Sequence, residues 1–258
     1  MALLDTLTRP LYRSYEKRLL SSLDRDRLPR HVGVIHDGHR RYARSEGLPD
    51  YQASYRVGMK KVVEFLHWTN DLRIPAVTCW LLSKENLERP AEELLPYYEV
   101  LEELFEEIPT ALAGRDVRVR FIGSLDLLPQ DLQEAAKRLE ERMPTGGPRV
   151  TIALAYGGRQ EIVDAVKDLI AELSVEGTDG LVERIDADGI AAHLYTADLP
   201  DPDLVIRTSG EARLSGFLLW QSAYAEYAFV DVYWPAFRRI DSLRALRDFT
   251  RRKRRYGK

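Results

Sequence analysis

Residues 149–173 read RVTIALAYGGRQEIVDAVKDLIAEL. The first seven, RVTIALA, form a short apolar run of strand length. Tyr156-Gly157-Gly158-Arg159 breaks it, and from Gln160 to Leu173 the apolar residues recur at helical spacing. Strand, glycine turn and helix make one βα unit, and the rest of the chain repeats that grammar.

Outward from this unit, strand candidates cover 31–36, 76–82 (AVTCWLL), 117–122 (VRVRFI), 203–207 (DLVIR) and 227–230. Helical patterns lie near 53–71, 91–112, 129–142, 186–195 and 241–253. Strands alternating with helices predict a single α/β domain: a mostly parallel six-stranded sheet flanked by helices on both faces. The length of 258 residues fits one large domain, and no repeat or long linker divides it. Residues 11–23, with Leu11, Tyr15, Leu19 and Leu23 on one face, predict an amphipathic N-terminal helix (segment 1–24) ahead of the main domain over 25–258. That helix would pack on its own domain or lie on a membrane surface as a peripheral contact.

Composition excludes several classes. A net charge of −3 gives no general basic field for nucleic acid. The lone Cys79 excludes an intrachain disulfide and a cysteine-based zinc site. Asp5, Arg9 and Arg13 come too early for a signal peptide, and no apolar run reaches the ~20 residues that span a bilayer. A cytoplasmic protein is expected. The segment from Pro90, with Leu94, Tyr97, Tyr98, Leu101, Leu104, Phe105 and Ile108, is an apolar stripe. Such a stripe is usually plain core, and periodicity alone does not separate that from the wall of a channel for an apolar substrate.

Ligands of parallel α/β sheets sit at the carboxyl ends of strands. Those positions hold DGHRR (37–41), SKENLERP (83–90), YGGR (156–159) and RTSGEARLSG (207–216). Glycines, hydroxyls and arginines of this kind hold phosphate through backbone N–H groups and guanidinium forks. Together they predict a polyanionic substrate. Asp37 conflicts with phosphate unless a Mg²⁺ ion, which favours one or two carboxylates plus phosphate oxygens, lies between them. Glu226 is a second candidate carboxylate. The other reading makes Asp37 a helix cap. His36-Asp37-x-His39 does not read as zinc, because no distant ligand completes a set. His36 reads as a buried supporting group and His39 as facing the substrate.

The segments HVGVIHDGHRRYA, LLSKENLERP, AYGGRQEIVDAV and DPDLVIRTSGEARLSGFLLWQSAYAEYAFVDVYWPAF carry a resemblance. From about residue 25 to its end the chain resembles the cis-prenyltransferases, the undecaprenyl diphosphate synthase family, and within it the short-chain actinobacterial members that make Z-farnesyl diphosphate. The resemblance implies a Mg²⁺-dependent homodimer with an apolar tunnel. Such an enzyme condenses isopentenyl diphosphate with an allylic prenyl diphosphate to a short-chain (C10–C20) cis product. It places Asp37 at the metal, His39 and Asn86 among the catalytic positions, and Gly38, Arg40, Arg41, Tyr42, Ser83, Glu85 and Arg89 around the allylic substrate. It also implies an isopentenyl diphosphate pocket at Arg207, Arg213 and Ser215, and a metal-linked Glu226 near the dimer contact. The tail Arg255-Tyr256-Gly257 would reach the partner's site. Leu81, bulky at the tunnel floor, would stop chain growth early. His39 replaces the family's asparagine, and Tyr42 and Leu87 replace tryptophans. These departures leave open a redirection of the scaffold to cyclisation or branched coupling.

Overall fold

The computed structural model describes residues 2–144, 146–175, 177 and 181–252, with residues 2–9 by backbone alone. Arg255 and Gly257 lie outside the described residues. Strands β1 (His31–Ile35), β2 (Ala76–Trp80), β3 (Arg118–Ile122), β4 (Arg149–Ala153), β5 (Leu204–Arg207) and β6 (Glu226–Phe229) form one sheet in the order β3-β4-β2-β1-β5-β6. Every pairing is parallel. All residues of β1, β2 and β5 are buried, as strands covered on both faces must be, which is why they read as unbroken apolar runs.

The helices are α1 (Ala2–Ser21), α2 (His39–Ser45), α3 (Tyr51–Asp71), α4 (Ala91–Ala111), α5 (Gln130–Arg142), α6 (Gly158–Ser174), α7 (Ala187–Ala192) and α8 (Arg239–Arg251). One face of the sheet supports the main core, where Phe65, Leu101, Leu104, Ile108, Leu132 and Leu246 are buried. The other supports a smaller core of Ile35, Trp80, Ile122, Tyr156, Val205 and Phe217. The stripe on α4 is therefore core along most of its length, with Phe105 packed edge-on to Phe121 at 4.9 Å.

Three expectations need correction. Strands 76–82 and 149–155 end two residues early, because Leu81 and Leu82 both donate N–H to Ala153 O (3.1 and 3.3 Å) and Ala155 turns to φ 46°. The segment 186–195 yields only the short α7, whose Asp186 caps Gly189 N–H at 2.7 Å. Helix α2 was not legible, since its HRRYARS sequence has no apolar period.

Helix α1 packs on its own domain: Leu19 is buried in the main core and Tyr15 lies under Arg244 at 5.1 Å. Leu23, expected within the helix, is buried beyond its end. No helix among the described residues is long and apolar enough to cross a membrane.

Candidate active site

From β1 the chain runs one way, to β2, and from β5 the other way, to β6; β1 and β5 are neighbours. The crevice at their carboxyl ends is the switch point where such sheets bind ligands. Ile35 pairs with Arg207 there, so Asp37 and Arg207, 170 positions apart, face each other.

Asp37 does not cap α2. The cap position is Gly38 at φ 106°, with no side-chain cap bond. A Cβ at Gly38 would lie 2.6 Å from Tyr233 Cδ1, so glycine is required by both angle and space. The Asp37 carboxylate instead accepts from Arg207 Nη2 (2.8 Å) and Arg41 Nη2 (3.0 Å). Its backbone is tied by Thr208, which receives Asp37 N–H (2.9 Å) and donates its hydroxyl to Asp37 O (2.8 Å). Burial pulls the Asp37 pKa upward, but the bonds and charges of Arg207, Ser209 and Arg41 hold it below the ordinary carboxylate value.

Arg207 is 4% exposed and also donates to Arg213 O and to Ser215 Oγ (2.9 Å). Arg41 reaches Glu211 (2.8 Å) and Ser209 Oγ (2.8 Å), and Arg213 contacts Glu211. Charges thus alternate along Arg207–Asp37–Arg41–Glu211–Arg213, three guanidiniums to two carboxylates. They border a cavity of about 580 Å³ whose wall also includes Gly38, His39, Arg40, Ser83, Asn86 and Arg89, with Tyr55, Trp80, Leu81 and Tyr97 completing it.

Both imidazoles beside Asp37 are buried. His36 sits edge-on to Trp234 at 4.0 Å, and burial lowers its pKa to about 3. His39 is wedged against Gly58, where a Cβ would meet its Cε1 at 2.0 Å, and burial lowers its pKa to about 4. Both are neutral near pH 7. Ser83 accepts Asn86 N–H at 3.2 Å and so shapes the loop after β2.

The structure thus gathers Asp37, Gly38, His39, Arg40, Arg41, Ser83, Asn86, Arg89, Arg207, Arg213 and Ser215 around one cavity. It leaves three others outside that wall. Tyr42 is half-buried elsewhere on α2 and Glu85 is exposed. Glu226 starts β6 opposite Leu204, at the far end of the sheet, and pairs with Arg252 at 3.1 Å in a separate cavity under α8. Within one chain Glu226 and Asp37 do not meet. The second carboxylate at the cavity is Glu211, missed in the sequence, where its one signal is a lone acid between Arg207 and Arg213.

Among the described residues no three His, Cys, Asp or Glu side chains converge as a metal set. Asp37, partly exposed beside phosphate-type donors, does fit magnesium, which needs one or two protein carboxylates and takes phosphate oxygens and water for the rest.

Known proteins share this architecture. The family described as "Putative undecaprenyl diphosphate synthase" matches residues 35–257. The chain is 51% identical over 255 residues to "Isoprenyl transferase 1" of Corynebacterium efficiens, covering 98% of this chain and 99% of that one. It is 48% identical over 258 residues to "(2Z,6E)-farnesyl diphosphate synthase" of Mycolicibacterium smegmatis, covering 98% and 97%. The crystal structure of lavandulyl diphosphate synthase from Lavandula x intermedia, in complex with dimethylallyl diphosphate, superposes with a TM-score of 0.85. It is 31% identical and covers 90% of this chain and 100% of that one.

Proposed function

The chain belongs to the undecaprenyl diphosphate synthase family, and on that premise we propose that it condenses isopentenyl diphosphate with an allylic prenyl diphosphate to give a short-chain cis-prenyl diphosphate. The observation that carries this reading is the Asp37 carboxylate held between Arg207 and Arg41 at the mouth of a cavity with a partly apolar inner wall.

Arg41, Arg40 and Arg89, with Gly38 N–H, take the allylic diphosphate. Arg207, Arg213 and Ser215 take isopentenyl diphosphate. Loss of the allylic diphosphate gathers negative charge on its oxygens, which these preorganised guanidiniums stabilise. Asp37 would hold magnesium, and that ion, when bound, supplies further neutralisation of the leaving group. Trp80, Leu81, Tyr55 and Tyr97 shield the allylic carbon, where positive charge develops, from water. Asn86 and Ser83 lie on the wall where the condensed cation sheds its proton to a phosphate oxygen, which they help to position.

Chain length is set by the inner wall. Tyr97 donates its hydroxyl to Leu81 O, and Tyr55 packs edge-on to Tyr97 at 4.7 Å. These three side chains form part of the cavity wall, and a product of C10–C20 is the expected limit. The cyclisation and branching readings rest on the departures at His39, Tyr42 and Leu87. Two arginine groups suit two diphosphates and so argue against cyclisation of a single one.

The same reading carries a homodimer through the half-exposed edge strand β6, with Glu226 near the contact. It also carries a cytoplasmic setting, where such strongly charged diphosphates are held. The test is direct. Protein and Mg²⁺ are incubated with C5 to C20 allylic diphosphates, with and without isopentenyl diphosphate. Elongation to C10–C20 only when isopentenyl diphosphate is present supports the reading. Chains of C50 or longer, or turnover of the allylic substrate alone, overturn it.

A further inference from the structure

The segment between β5 and β6 carries Arg213 and Ser215 through backbone conformations that most residues avoid. Ser209, Ser215 and Leu218 have φ of 76°, 52° and 41°. Non-glycine residues persist at such angles only where their surroundings hold them. Ser209 is held by Arg41 and by its N–H on Val232 O (2.8 Å), and Ser215 by Arg207. At the far end the hold comes from a polar cluster behind the cavity that plays no part in the site described above.

Glu161 on α6 is the centre of that cluster and is 1% exposed. It accepts the Tyr156 hydroxyl, Tyr195 N–H (2.9 Å) and Gln221 Nε2 (2.9 Å). Gln221 also donates to Thr196 Oγ1 at 2.9 Å. Beside it Gly216 O accepts Gly158 N–H at 2.8 Å. A Cβ at Gly158 would come within 2.5 Å of that carbonyl, so the segment meets the first turn of α6 backbone to backbone. Phe217, stacked on Trp80 at 5.4 Å, fills the space between.

A buried carboxylate is an expensive way to fill a core, because an apolar side chain of similar size packs there without losing hydration. Burial raises the Glu161 pKa by more than the bonds from Tyr156, Gln221 and Tyr195 and the charge of Arg120 lower it. What the carboxylate offers is direction: three donors from three segments are fixed on two oxygens. One of those donors, Gln221, ties the segment to Glu161 and to Thr196 shortly before β6.

The geometry points to Glu161 as a positioning residue for the isopentenyl diphosphate subsite: through Gln221 it pins the 208–225 segment so that Arg213 O and Ser215 Oγ meet Arg207. The inference rests on the assignment of that subsite under Proposed function.

Two single variants and their combination test it. Gln221→Glu sets a second carboxylate against Glu161, Glu161→Gln is the milder change, and the pair together restores one carboxylate facing one amide. Amide hydrogen exchange over residues 209–220 reads the pin without any substrate. Gln221→Glu is expected to speed exchange there about tenfold and to raise KM for isopentenyl diphosphate about tenfold, with KM for the allylic primer within about twofold. Glu161→Gln shifts both in the same direction by less. The double variant returns both readouts to within about threefold of wild type. Unchanged exchange over 209–220 in both single variants overturns the inference. So does an equal rise in KM for both substrates, or a double variant no better than Gln221→Glu. Wild-type protein that elongates nothing while the variants still loosen 209–220 would instead contradict the subsite assignment.

Discussion

At the scale of residues, two groups, Asp37 and Arg207, face each other across the switch point. Asp37 is held ionised by Arg207 and Arg41 and still presents an edge to the cavity. Asp37→Asn keeps the shape and removes the charge. It is expected to lower kcat by ~10²–10³-fold, as when one preorganised charge-stabilising group is lost, with melting temperature little changed. Steady-state kinetics with calorimetric melting checks this. Arg207 contacts Asp37, Ser215 and Arg213 O at once through a planar fork. Arg207→Lys keeps the charge and loses the fork, so weaker isopentenyl diphosphate binding by about tenfold is expected in titration calorimetry. Asp37, Arg207 and Arg213 were legible because charged and hydroxyl residues beside strand ends have few other reasons to cluster. Glu211 was not, because an acid among arginines reads as surface until the fold turns it onto Arg41.

At the scale of elements, the sheet was largely readable and its margins were not. Strands buried on both faces announce themselves as apolar runs, and the six are legible to within two residues at each end. Where a strand stops depends on the hydrogen-bond partners its neighbours offer. Leu81 and Leu82 leave the sheet although they are as apolar as Cys79 and Trp80, because the bend at Ala155 offers Ala153 O to both. Helix α2 is set by Gly38, and no periodicity records it. Leaving the sheet puts Leu81 at the cavity wall beside Tyr97. Leu81→Ala opens that wall, and the product distribution is expected to lengthen by at least one five-carbon unit, read by chromatography of the dephosphorylated prenols. A stability loss of about 2–4 kcal/mol accompanies it.

At the scale of the whole molecule, three buried histidines tie stability to pH. Burial lowers His31 and His39 to about 4 and His36 to about 3. Each folded pKa lies below the unfolded value of about 6.5, so the unfolded chain binds more protons between those limits. Their contribution is complete above pH 6.5 and is lost as pH falls toward 4. The carboxyls of Glu161, Glu102 and Asp201, shifted upward, act in the opposite sense. Chemical denaturation is expected to show a loss of about 2 kcal/mol or more between pH 7.5 and pH 5. A flat profile would contradict the buried, neutral imidazoles. The same scale explains Glu226. A parallel strand separates its two ends, and the register that joins Arg207 to Phe229 leaves Glu226 beside Leu204. The place of Glu226 just before the strand candidate 227–230 already put it at the amino end, away from the carboxyl-end loops.

The central claim is that two diphosphates share one cavity, the allylic one beside Asp37 and Arg41, the other on Arg207, Arg213 and Ser215. A crystal structure with Mg²⁺, isopentenyl diphosphate and a non-ionising thio analogue of an allylic diphosphate measures this directly. The account predicts both headgroups in that cavity, on those side chains, with the hydrocarbon tail against Leu81, Tyr55 and Tyr97. Headgroups bound away from Asp37 and Arg207 would contradict it.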